Sequence, residues 1–291
     1  MKVRSPAVAG SWYAGTPNRL RDQLEELFMH RLGPGSPPLV NEDGSRDIVG
    51  LVVPHAGYLA SGPVATHAYH RLAEDGRPDV IVIFGPNHTG HGSALSIMNE
   101  GAWRTPLGDV EIDAETADQI VSFSSIIDVD DLAHVYEHSI ELQLPFLQYL
   151  YGSEFKFVPI CFGIQDLVSS REVGTAVARA LKGKNGLVIA SSDLTHYEPQ
   201  EKAEKKDILA VDAALRMDEE QYYLAVESYG ISTCGYGPVM AAIVASKELG
   251  AKKAELLCYK TSGDVLGDRS AVVGYTSISF MKQSDFRIFV Q

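Results

Sequence analysis

Ile48-Val49-Gly50-Leu51-Val52-Val53-Pro54-His55 is an apolar run that passes through a proline into a histidine. Two other stretches repeat the pattern. Val80-Ile81-Val82-Ile83-Phe84-Gly85-Pro86-Asn87 leads to His88, and Gly186-Leu187-Val188-Ile189-Ala190-Ser191-Ser192-Asp193-Leu194-Thr195 leads to His196. A strand with one wet face alternates apolar and polar residues. Short runs without alternation fit a parallel sheet covered on both faces. The expected fold is α/β: a single domain over residues 1–291, with a central mixed, largely parallel sheet covered by helices on both faces. Loops leaving the carboxyl ends of such strands share one edge, where open α/β folds bind ligands. Three histidines distant in sequence are therefore expected to converge, and converging imidazoles make a metal or acid–base site.

The rest of the chain is consistent with that frame. At 291 residues, 45% hydrophobic and 22% charged, it can bury a large core. Its formal net charge of −13 argues against a nucleic-acid or anionic-membrane partner, since both need a basic face. The first residues lack the apolar core of a secretory signal, and no apolar stretch is long enough to span a bilayer. Three cysteines, Cys161, Cys234 and Cys258, are too few for a disulfide framework, so a cytoplasmic location is expected.

Periodicity and punctuation predict helices over residues 18–30, 114–121, 137–151, 169–182, 201–217, 219–228 and 239–249. Ser61-Gly62-Pro63 reads as the start of another, running to Ala73. A third buried strand is expected over 155–160, a short one over 94–98, and a turn joining two extended pieces over 103–113. Two closing strands, 254–260 and 271–280, follow, the latter with antiparallel alternation.

Of nine histidines, His30, His67, His70, His91 and His134 read as helix-end, helix-face or loop residues. His55, His88 and His196 differ because each follows a strand. Asp193, three residues before His196, either orients that imidazole or caps the next turn. Cys234 lies in Thr233-Cys234-Gly235-Tyr236-Gly237-Pro238, just before a helix, where backbone amides lower a thiol's pKa. A thiolate there binds metal or attacks an electrophile; a buried inert cysteine is the plain alternative. His138 and Glu141, spaced i,i+3 on an expected helix, can point into one cavity, although an ordinary first-turn charge pattern looks similar. No phosphate-binding loop, dinucleotide fingerprint, H-E-x-x-H or G-x-S-x-G is present, so no nucleotide cofactor is expected.

Seven blocks occur in order: Ala9-Gly10-Ser11-Trp12-Tyr13, Pro54-His55-Ala56-Gly57-Tyr58, Gly85-Pro86-Asn87-His88, Thr105-Pro106-Leu107-Gly108-Asp109-Val110, Glu137-His138-Ser139-Ile140-Glu141-Leu142-Gln143-Leu144-Pro145, Ser192-Asp193-Leu194-Thr195-His196-Tyr197 and Cys234-Gly235. This string resembles the Memo family (mediator of cell motility and its prokaryotic relatives) over nearly the whole chain. The resemblance implies a fold similar to class III extradiol dioxygenases, which hold non-haem Fe(II) with two histidines and a glutamate. It places His55 and His88 at the two histidine ligands and Cys234 where the dioxygenases have their carboxylate. It also places His196 at the acid–base histidine, with His138 joining it. Thiolate in place of carboxylate shifts the expected metal toward copper, zinc or thiolate-bound iron. Family association further implies a radical-SAM protein as partner.

The leading functional expectation is a metal-dependent redox protein, oxidase or dioxygenase-like. His55, His88 and Cys234 would hold iron or copper, with zinc as the third choice. His196, Asp193 and His138 would handle protons beside a small-molecule or peptide substrate. A peptide- or phosphopeptide-binding protein using the same pocket is the second expectation, and a hydrolase built on Cys234 and His196 is the third.

Overall fold

The computed structural model describes residues 2–282. The three apolar runs form β2 (Ile48–Val53), β3 (Val80–Pro86) and β9 (Gly186–Ser191), and every residue in them is buried. Together with β6 (Gly108–Ile112) and β8 (Lys156–Phe162) they make a parallel block in the order β6-β8-β3-β9-β2. Successive residues of β3 explain the absence of alternation. Val80, Val82 and Phe84 join one core cluster, while Ile81 and Ile83 join the other. One face is covered by α3 (Ala114–Phe123), α5 (Leu167–Leu181), α6 (Gln200–Leu215), α7 (Glu219–Tyr229) and α8 (Tyr236–Glu248). The other face carries α1 (Pro17–Phe28), α2 (Tyr58–Asp75) and α4 (Leu144–Tyr151).

Twelve strands make one sheet. β1 (Val3–Arg4) runs parallel to β5 (Ala102–Thr105), which forms an antiparallel hairpin with β6. β4 (Leu95–Ile97) lies antiparallel to β8 and carries β7 (Asp128–Val129). On the far side β12 (Val272–Lys282) is antiparallel to β2, to β10 (His196–Glu198) and to β11 (Ala251–Thr261), with the short α9 (Ser262–Leu266) between β11 and β12.

Three expectations need correction, each for a local reason. α2 starts at Tyr58 rather than at Ser61; the Ser61 hydroxyl donates to the carbonyl of Ala56 (2.7 Å), and Pro63 lies inside the helix. The helix expected over 137–151 begins only at Leu144, after a short 3-10 turn at Glu141–Gln143. Upstream, the Glu137 carboxylate accepts from the backbone N–H groups of His138 and Ser139 (2.8 Å each), which competes with helical pairing. Finally, β9 stops at Ser191. Leu194 N–H then donates to the carbonyl of Gly274 on β12 (2.8 Å), so His196 opens β10 instead of closing β9.

His134 is fully buried edge-on to the Trp103 ring, its carbonyl accepting from Arg4 Nε, and neither ring nitrogen has a partner within hydrogen-bond distance among the described residues. Burial, followed by the Arg4 charge, lowers its pKa to about 4. The unfolded chain therefore binds a proton that the fold excludes. The fold has this contribution in full above the ordinary histidine value and loses it as pH falls toward 4. The loss is roughly 3 kcal/mol at most. Chemical unfolding of wild type and His134→Leu at pH 7 and pH 4 should show the steeper loss in wild type; parallel losses would contradict a buried neutral imidazole.

Candidate metal centre

His55 follows β2, His88 follows β3 and Asp193 follows β9, all at the carboxyl edge of the parallel block. His138 enters from the segment before α4, His196 from β10, and Cys234 from the turn before α8. Gly85 makes the packing possible: a Cβ there would lie 2.7 Å from Cγ1 of Ile140, so only glycine lets the 137–140 segment rest on the end of β3. The six side chains share a cavity of about 430 Å³, with Trp12, Tyr197 and Ser232 also in its wall. Among the described residues no Arg or Lys lines it.

Donor atoms of His55, His88 and His138 lie within 4.8 Å of one another, and so do those of His55, Asp193 and Cys234. The pairing of His88 with Cys234 implied by the resemblance belongs to neither group. His55 is the member common to both, and its Nε2 is 3.2 Å from Sγ of Cys234.

The hydrogen bonds fix the tautomers of three imidazoles. The Ser191 hydroxyl donates to the carbonyl of Ser139 (2.7 Å) and accepts from Nε2 of Gln143 (2.7 Å). Its proton is thus spent, so Nδ1 of His55, 2.8 Å away, must be the donor to Ser191 Oγ. Nδ1 of His88 donates to Oε1 of Glu137 (2.9 Å), and Nδ1 of His196 donates to the carbonyl of Ser232 (2.8 Å). Each ring is left with an Nε2 lone pair. Metal-ligating histidines are commonly anchored in this way through their second nitrogen. The donor set fits a transition metal.

The electrostatics agree for the imidazoles. Burial, then the neighbouring His88 and His138, holds His55 far below the usual histidine range, and burial, then His88, lowers His138 to about 4. Both rings are neutral at pH 7, the form that binds metal. Burial opposes ionisation of Glu137, but hydrogen bonds from the His88 side chain and the Ser139 backbone N–H favour its carboxylate and help to lower it to about 2. Cys234 reverses the sequence expectation. Burial, then Asp193, raises its thiol well above the ordinary value, so a cation is needed to make the thiolate. Asp193 is itself raised to about 6 by burial.

Two expected roles change. Asp193 does not orient His196; its Oδ1 accepts from the backbone N–H of His55 (2.8 Å), and Ser232 holds His196 instead. Glu141 does not enter the cavity with His138. It binds the Arg4 guanidinium, the Tyr13 hydroxyl (2.8 Å) and the backbone N–H groups of Ala7 and Val8 (2.7 and 3.1 Å). This anchors the N-terminal segment that lays Trp12 against the His138 ring, centroids 4.3 Å apart. Ser191, Gln143, Ser232 and Glu137 were not singled out as site residues by sequence reasoning. Glu137 and Gln143 lie in the motif around His138, and Glu137, directly beside it, carried the clearer signal.

Glu137 accepts from Nδ1 and the backbone N–H of His88 and from two further backbone amides. Glu137→Gln should lower metal affinity by about 10–100-fold, the usual cost of losing an orienting carboxylate. Competition with a chromogenic chelator measures this, and unchanged affinity would remove Glu137 from the site.

The description "Memo-like protein" belongs to a family model that matches residues 4–279. The chain is 53% identical over 281 residues to a MEMO1 family protein of Methanopyrus kandleri, covering 96% of this chain and 99% of that one. It is 49% identical over 282 residues to a MEMO1 family protein of Sulfolobus acidocaldarius, with the same coverage. The crystal structure of an uncharacterized protein from Escherichia coli K12 covers 80% of this chain and 99% of its own with a TM-score of 0.52; at 15% identity the likeness concerns the fold alone. A match spanning nearly the entire chain, with relatives about half identical from end to end, makes this protein a member of the Memo family.

Proposed function

We propose that this chain is a metal-dependent oxidoreductase that binds one iron or copper ion through His55, His88 and Cys234. The observation that carries the reading is the fixed tautomer pattern, which leaves Nε2 of His55 and of His88 without a proton, with Nε2 of His55 3.2 Å from Sγ of Cys234; His88 and Cys234 would close on the ion from opposite sides of His55. One ion follows from the hydrogen bonding: Nδ1 of His55 is taken by Ser191, so its single lone pair serves one metal. Such an ion would supply redox chemistry and a position open to a small oxidant or substrate.

The chain's own residues do the rest. Nε2 of His196 accepts a proton from substrate, while its Nδ1–H remains on the Ser232 carbonyl. His138 stacks on His88, centroids 4.5 Å apart, and with Trp12 narrows the cavity. Asp193, buried at the back, holds the turn bearing His55 by accepting its backbone N–H.

Anaerobic Fe(II) loading followed by nitric oxide, read by electron paramagnetic resonance, tests the open position. A signal is expected in wild type and absent in His55→Ala, which removes the residue common to both donor groups. No signal in loaded wild type would mean a closed site and would defeat the redox reading. The two other readings are less well supported. A phosphopeptide would find no Arg or Lys among the described residues of the cavity wall, and a thiol hydrolase would need a thiolate that burial opposes.

A further inference from the structure

We propose that a second cavity, at the amino edge of the same strands, binds a phosphorylated small molecule. It measures about 670 Å³ and lies where β2 and β9 begin. The six residues of β9 put it roughly 17 Å from the histidine cluster at the other end.

Its charge runs against that of the chain. Arg46, Arg179, Lys182, Lys184 and Lys282 line it, against the single acid Glu248, in a protein of net charge −13. Two of these cations are already engaged. Arg46 pairs with Asp75 and donates to Asn185 (2.9 Å), and Lys184 donates to Thr116 and Gln119 (2.9 and 3.0 Å). Both partners of Lys184 are neutral, so its charge stays uncompensated. Arg179 lies over the Phe123 ring at 4.2 Å, and its side-chain N–H groups have no hydrogen-bond partner among the described residues. Lys182 and Lys282 have no side-chain ion pair or hydrogen bond among the described residues. Glu248 accepts from Thr175 (2.8 Å) and neutralises none of them by contact.

Helix-end neutralisation explains part of this, since Arg179 and Lys182 sit at the carboxyl end of α5. It does not explain Lys282, which comes from a strand, or the cavity between them. Arg46 adds a structural cost: its φ is 55°, a left-handed conformation rare outside glycine, and its side-chain bonds hold it there. Val49, Leu181 and Leu249 supply an apolar floor. Several free cations over an apolar floor suit an anionic phosphate group attached to a flat or apolar body, of mononucleotide size.

Isothermal titration of the full-length, metal-stripped protein with ADP at low salt tests the proposal, with adenosine as the uncharged control. Binding of ADP near one per chain is expected, with none of adenosine. Lys182→Glu/Lys282→Glu should weaken ADP binding by more than about tenfold, because two charge-assisted contacts become repulsive. His88→Ala should bind ADP as wild type does, which separates this cavity from the metal site. Absence of heat from ADP, equal binding of adenosine, undiminished binding by the double variant, or loss of binding in His88→Ala would each overturn it. Both lysines are exposed, so the double variant is expected to fold; Lys182→Met/Lys282→Met, with the same weakening expected, serves if it does not.

Discussion

His55→Ala should lose metal more completely than any other single substitution in the site. His55 is the one donor common to both groups, so its removal leaves two separated sets of two side chains. His88→Ala leaves His55 with Cys234 and Asp193, and Cys234→Ser leaves His55 with His88 and His138. The expected affinity order for Zn(II) is wild type, then Cys234→Ser and His88→Ala, then His55→Ala. The last should fall by more than the roughly 100-fold that an orienting residue alone can cost. Chelator competition gives the order directly. The metal-free His55→Ala protein should still fold, losing the ring's contacts with Ser191 and Cys234 and some packing. Metal affinity in His55→Ala equal to that of His88→Ala would mean that the two donor groups do not share their metal.

The second large effect is on stability. Glu141 is fully buried and bonded to the buried Arg4 guanidinium, the Tyr13 hydroxyl and two backbone amides. Glu141→Ala leaves a buried charge without its counterion. It should cost about 3–5 kcal/mol, the range for breaking a buried pair from one side. Arg4→Met/Glu141→Leu removes both charges and should recover much of that loss, since the unpaired charge is the main penalty. Denaturant unfolding compares the three proteins. A loss below about 1 kcal/mol in Glu141→Ala would place the pair among weak surface bridges. The same substitution should loosen Trp12 from His138, visible in tryptophan emission, because Glu141 ties down the segment that carries it.

Much of this architecture was legible in sequence because burial on both faces has a direct signature. The runs at 48–53 and 80–86 are strands to the residue or nearly so, and His55 and His88 emerge where strand-end reasoning puts them. The third run misled at its end. Nothing in Ser192-Asp193-Leu194-Thr195 shows that the backbone leaves β2 and crosses to β12, so Asp193, not His196, sits at the strand terminus. Helical spacing misled at 137–143 for a related reason. A carboxylate that bonds its own following amides looks like a first-turn acid until the fold shows it buried. The orienting residues were illegible in a stronger sense. Ser191 reads as one more strand residue and Gln143 as one more helix residue; only their position beneath His55 gives them a role. Cys234 was found by its glycine-rich turn and by family resemblance. The sign of its pKa shift was not, since burial and a nearby carboxylate belong to the folded chain.

No helix among the described residues is long and apolar enough to cross a membrane. The central claim is tested on the metal-loaded protein. X-ray absorption at the metal edge of the stoichiometrically Zn(II)-loaded protein reads the ligand atoms directly. One sulfur at about 2.3 Å and nitrogens at about 2.0–2.1 Å are expected, with the sulfur lost in Cys234→Ser. A shell of nitrogen and oxygen alone in the wild-type protein would contradict the assignment and give the metal to His55, His88 and His138 instead.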